Sequence, residues 1–137
     1  MCTPNGETAL TPQQHARAAF EHDRRGQEAD AVSHYEAALK GHLPADLRRE
    51  CLLGLISTLR SLGRYREAFD VLDNGRREFG EAGEFTVFLA MVAYNLQRHH
   101  EAVSLLLTAL VEYTDDPAIA GYAAAIRQYA QDLDRTW

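Results

Sequence analysis

Three segments of the chain carry the same order of small and large residues. Ala31, Tyr35 and Ala38 form one set, Ala68, Leu72 and Gly75 the next, and Ala102, Leu106 and Ala109 the last. Steps of four and then three residues keep each set on one stripe of a helix. Small residues on that stripe let a second helix cross closely, and the large residue between them fills the crossing. A turn precedes each set: Gly26-Gln27-Glu28, Gly63-Arg64-Tyr65, and Gln97-Arg98-His99, with Gln97 standing where the others have glycine. Glycine reaches positive φ easily and closes the preceding helix. The alanines Ala31, Ala68 and Ala102 are 37 and 34 residues apart. A period near 34 residues with a helix on either side of a turn defines stacked helix pairs, an all-α solenoid.

Taken in order, residues 1–10 read as a loose tail in which Pro4, Asn5 and Gly6 prevent a helix. Thr11 then caps a first helix, with Pro12 in its first turn and Gln14 reaching back as a capping box. That helix runs to about residue 24, and a second from about 28 to 40 stops at Gly41. The third, about 45–62, has a stripe of Leu52, Leu55, Ile56, Leu59 and Leu62; the fourth runs from about 65 to 79 and ends at Gly80. The fifth, about 84–96, is apolar nearly all round, from Phe85 and Val87 to Val92 and Tyr94, and predicts cover on both faces. The sixth, about 99–113, has a similar surplus in Leu105, Leu106, Leu107 and Leu110. Asp116-Pro117 starts a seventh helix to about 135, with a stripe of Ile119, Tyr122, Ile126, Tyr129 and Leu133. It is expected to cap the last repeat and shield Leu106 and Leu110. The organisation is thus a tail, one domain over 11–137 with repeats at about 11–43, 44–82 and 83–116, and a cap helix at 117–135.

The net charge of −6 argues against nucleic acid as a partner, since such binding requires cations to neutralise phosphate. No apolar run is long enough to predict a membrane span, and the first residues lack the basic start and apolar core of a secretion leader. Cys2 and Cys51 do not make a disulfide framework, and reduced thiols in a cytoplasmic protein are expected. Cys51, beside Leu52 and Leu53, reads as a core filler rather than a nucleophile. Among the histidines, His15 and His22 are seven apart and could share a helix face, but lack further ligands at metal-site spacing. His99 and His100, being adjacent, point in different directions. Glu78, Glu81 and Glu84 read as a solvated acidic turn. There is no Gly-rich phosphate loop, no G-x-S-x-G and no Cys-His pairing, so no catalytic residue, metal ligand or cofactor is expected, and no enzyme.

Leu89-Ala90 fits the Leu-Gly/Ala pair in the first helix of a tetratricopeptide repeat, with Tyr94 near its aromatic position. Together with the Gly63-Arg64-Tyr65-Arg66-Glu67-Ala68 turn, this makes residues 11–117 resemble the tetratricopeptide-repeat family, and in particular its short, stand-alone bacterial members. The chain departs from the family in its prolines, with Gly80 ending the second repeat and Pro117 ending the third late, and in lacking an aromatic early in its first helix. The resemblance implies a three-repeat superhelix that binds a segment of a protein partner in a concave groove lined by the first helix of each repeat. Carried over residue by residue, the groove consists of Arg17, Phe20 and Arg24; Leu53, Ser57 and Arg60; and Val87, Phe88, Met91, Tyr94 and Asn95. The Asn and Lys pairs with which some members clamp a carboxylate terminus are replaced by Gly54, Ser57, Phe88 and Met91. The three arginines either grip an acidic end of the ligand or remain solvated. Two functional readings stand: a module holding an apolar or amphipathic peptide, and a homodimer formed through the apolar surplus of the last three helices.

Overall fold

The computed structural model describes residues 9–80 and 82–136. Most of the expected tail, Cys2, Glu81 and Trp137 lie outside those residues. Every element among the described residues is a helix, the class the repeat pattern implies. The chain divides into an N-terminal unit ending at Val71 and a C-terminal unit starting at Leu72.

The N-terminal unit holds α1 (Pro12–Arg24), α2 (Glu28–Lys40), α3 (Ala45–Ser61) and the first half of α4 (Tyr65–Phe79). The capping box forms as expected: Gln14 N–H donates to Thr11 Oγ1 at 3.2 Å, and Thr11 N–H donates to Gln14 Oε1 at 2.8 Å. α1 packs on α2, and α2 on α3. Ala16 and Ala19 of α1 meet a core of Ala31, Val32, Tyr35 and Ala38 from α2 and Leu52, Leu55, Ile56 and Leu59 from α3, all buried. Gly41 does stop α2, but with extended backbone; its lack of a Cβ matters because the Pro12 ring occupies that space.

The turn between the two helices of a repeat is built the same way each time. Gly26, Gly63 and Gln97 all have positive φ, of 69°, 76° and 64°. At each, the next residue's N–H reaches back five residues, from Gln27 to His22 O at 2.8 Å, Arg64 to Leu59 O at 2.8 Å and Arg98 to Ala93 O at 2.9 Å. The turn residue itself donates to the carbonyl three back, on Asp23, Arg60 or Tyr94. This paired arrangement satisfies the last carbonyls of the first helix and aims the chain into the second. Gly63→Ala is therefore expected to cost about 1–2 kcal/mol, the penalty of a Cβ in left-handed backbone. Gln97→Gly relieves the same strain but loosens the unfolded chain, so its net gain stays below about 1 kcal/mol. Urea midpoints check both signs; destabilisation by both substitutions, or by neither, would mean the turns are not equivalent.

The C-terminal unit holds the rest of α4, then α5 (Gly83–Asn95), α6 (His99–Tyr113), α7 (Pro117–Gly121) and α8 (Ala123–Gln131). α5 packs on α6 through Ala90, Ala93 and Ala102, with Leu105 against them, and α8 packs on α6. Gly75 lets the ring of Phe85 approach, since a Cβ there would lie 3.0 Å from Phe85 Cε1. Phe79 stacks on Phe85 at 6.0 Å between centroids. Ala68 and Ala102 are buried as their stripe positions demand.

Three expectations are corrected in this unit. The helix foreseen over 117–135 is two, so the described residues hold eight helices rather than seven. Gly121 is a poor helix former, and the chain turns at Tyr122 (φ −101°, ψ 8°). α8 also stops at Gln131, where Asp132 takes extended backbone and its side chain accepts from Asp134 N–H. α8 does pack on α6, but it leaves Leu106 and Leu110 unshielded, each 45% exposed. Finally, α5 is not covered all round, for Val87 is exposed and Tyr94 is 59% exposed.

Candidate functional site

Steps of three and four residues put Arg17, Phe20 and Arg24 on one stripe of α1. They line a cleft of about 680 Å³ together with Glu21, Asp23 and Tyr35. Phe20 meets Tyr35 edge to face at 5.8 Å. Tyr35 O–H donates to Asp23 Oδ2, and Thr58 Oγ1 lies 2.8 Å from Asp23 Oδ1 and 2.7 Å from Gly54 O. A Cβ on Gly54 would sit 2.5 Å from Tyr35 Cζ, so glycine at this point of α3 is what admits the tyrosine. Burial raises the Tyr35 pKa, and the hydrogen bond to Asp23 and that carboxylate's charge add to the effect. The phenol therefore remains a donor. Arg24 is not an unopposed cation: it and Arg25 both pair with Glu21.

The other expected groove residues lie on the first helices of the later repeats. Leu53, Ser57 and Arg60 follow one stripe of α3, with Ser57 exposed and the other two half-buried. Arg60 is engaged in an interaction of its own. Phe88, Met91 and Asn95 of α5 are half-buried, and Tyr94 extends outward with its ring against His99 at 4.9 Å. The cleft thus gathers Arg17, Phe20 and Arg24.

Asp23, Glu21, Tyr35 and Thr58 were not among the expected site residues. Asp23 carries a readable signal nonetheless. A carboxylate in the last turn of a helix faces the negative end of the helix dipole, so it needs donors from elsewhere. Those donors, on α2 and α3, are twelve and thirty-five residues away and are not marked by local sequence.

Elsewhere on the N-terminal unit, α1 and α2 share three histidines. His15 Nδ1 and His34 Nδ1 are 3.0 Å apart, and His22 stacks on His34 at 5.2 Å between centroids, with an interplanar angle of 11°. His22 Nδ1 also meets Gln27 Oε1 at 2.6 Å. One member of the His15–His34 pair must donate and the other accept, so both rings cannot be doubly protonated while the bond persists. Partial burial, then the nearby His15 and His22, lower the His34 pKa from the usual 6.5, against a smaller opposing pull from Asp30. A lowered value in the folded state means that the unfolded chain takes up the proton first. Stability is then full above the ordinary histidine pKa and falls as pH drops through it. Melting temperature is expected to fall between about pH 7.5 and pH 5, with His34→Gln flattening the decline. A parent profile that is flat, or an unchanged slope in the variant, would contradict the assignment.

Cys51 is buried as expected, and burial, with a smaller push from Glu50, lifts its thiol pKa to about 11. It stays protonated at neutral pH, which suits packing rather than attack. Among the described residues, no group of three or more His, Cys, Asp or Glu side chains could hold a metal ion. No helix among them is long and apolar enough to cross a membrane.

The repeated turns and small-large-small stripes, with their small residues buried, identify a class, helix pairs of the tetratricopeptide type. A tetratrico peptide repeat family profile matches residues 12–133, and the chain belongs to that family. Its fold class is accordingly the all-α solenoid of helix pairs. Members of this family generally serve as protein–protein interaction modules rather than enzymes. No curated protein matches the chain.

Proposed function

We propose that this protein is a non-enzymatic, cytoplasmic binding module that takes an apolar or amphipathic segment of another protein. The observation that carries the reading is the accessibility of large side chains on the first helix of each repeat. Phe20, Leu53, Phe88, Met91 and Tyr94 all escape full burial. Unbranched Met91 adapts its shape to a ligand, and aromatic neighbours supply area at small entropic cost. The acidic net charge of −6 favours a protein partner over nucleic acid. Arg17 on α1, Ser57 and Arg60 on α3, and Asn95 on α5 are polar residues carried by the same helices.

A second reading rests on its own observation. Val103, Leu106, Leu110, Tyr113, Tyr122 and Tyr129 are exposed on α6 to α8, an apolar surplus suited to a homodimer. One experiment separates the two. A peptide selected by display on the immobilised full chain is titrated against the parent and against Met91→Glu with Tyr94→Ala, while light scattering follows mass. Loss of affinity by about tenfold or more at constant monomer mass is expected. Unchanged affinity would refute the assignment of these residues. A dimeric parent that the double variant leaves dimeric, but that Leu106→Glu splits, would favour self-association.

A further inference from the structure

We infer that the α1 cleft takes a cationic side chain, arginine above all, from the partner segment. This rests on the binding reading above and names the anchor that one part of that surface accepts. Of the two readings that the sequence left for the arginines, a grip on an acidic end and solvated surface charge, the exposure of Arg17 and Arg24 favours the second. Arg24 is already paired with Glu21, and it and Arg17 are exposed at the cleft's rim, where water screens them. Asp23, in contrast, lines the cleft half-buried and near the negative end of α1.

Both of its hydrogen-bond partners, Tyr35 and Thr58, are neutral hydroxyls. Two hydroxyls position a carboxylate without cancelling its charge, and they leave lone pairs on both oxygens. A guanidinium donates charge-assisted N–H bonds to the lone pairs that remain. The Phe20 ring beside it, braced edge to face by Tyr35, supplies the flat wall over which a guanidinium stacks. The cleft, about 680 Å³ and open to solvent, leaves a side chain free to enter. Direct contact with the half-buried carboxylate is set against repulsion from exposed rim arginines, which water and salt screen.

The test is a titration of the isotope-labelled full chain with three small probes, followed by amide and side-chain NMR shifts. The probes are N-acetyl-arginine amide, the neutral isostere N-acetyl-citrulline amide, and N-acetyl-glutamate amide. The arginine probe is expected to bind about fivefold or more tighter than citrulline, moving signals of Phe20, Asp23 and Tyr35. Asp23→Asn, which keeps an acceptor for Tyr35 and Thr58, should abolish that preference. Should this variant unfold, Phe20→Leu leaves the charge in place and should weaken the arginine probe alone. Equal binding of arginine and citrulline, or tighter binding of glutamate, overturns the inference. If displayed peptides bind but the arginine probe gains nothing over citrulline, the binding module stands and the anchor falls. If the arginine probe binds at Asp23 while no peptide does, the anchor stands and the peptide reading falls.

Discussion

Tyr35→Ala is expected to cost about 3–5 kcal/mol of folding stability, among the largest effects of any single truncation in the N-terminal unit. The side chain is 1% exposed and touches three helices: its own α2, Phe20 and Asp23 of α1, and Gly54 of α3. Truncation opens a cavity beside a backbone that cannot close it, because Gly54 has no side chain to lean in. It also removes one of the two hydroxyls that satisfy Asp23. Tyr35→Phe isolates that second contribution and should cost about 1–3 kcal/mol, the price of a half-buried carboxylate losing a donor. Urea denaturation of the three proteins checks both values. A Tyr35→Ala cost below about 1 kcal/mol would mean that α1, α2 and α3 are not joined through this residue.

Leu72→Ala and Leu106→Ala are expected to differ sharply although the two leucines occupy equivalent repeat positions. Leu72 is fully buried, so its loss should cost about 2–5 kcal/mol. Leu106 is 45% exposed, and its loss should cost no more than about 1 kcal/mol. The comparison is a direct test of how far the terminal helices cover α6. Similar costs at both sites would restore the shielding that the sequence suggested.

The parts of the fold legible in the sequence were those encoded locally. Thr11 and Gln14 announce a helix start because the capping box closes within four residues. Ala31, Ala68 and Ala102 announce close crossings because three copies of one pattern share one physical demand. Gly26 and Gly63 mark their turns, and position alone assigns Gln97 to the third, where it takes the same positive φ without glycine's freedom. Less legible were features set by distant partners. The stripe from Ile119 to Leu133 reads as one helix, yet Gly121 and the Tyr122 turn divide it. Leu106 has the periodicity of a buried residue, but burial depends on what packs outside it, and α7 and α8 are short. In the candidate site, Arg17, Phe20 and Arg24 could be placed on one stripe by counting. Their chemical setting could not, since the carboxylate of Asp23 is held by Tyr35 and Thr58 from two other helices.

Amide hydrogen exchange of the full chain, with and without a display-selected peptide, tests the central claim most directly. The proposed module requires the peptide to slow exchange on the groove-bearing helices, around Phe20 and Leu53 of α1 and α3, around Phe88 and Met91 of α5, or at both places. It also requires α6 and α8 to exchange at their free-state rates, with the mass of one chain throughout. Protection confined to the exposed leucines and tyrosines of α6 to α8, or the absence of any peptide that protects the chain, would contradict the account.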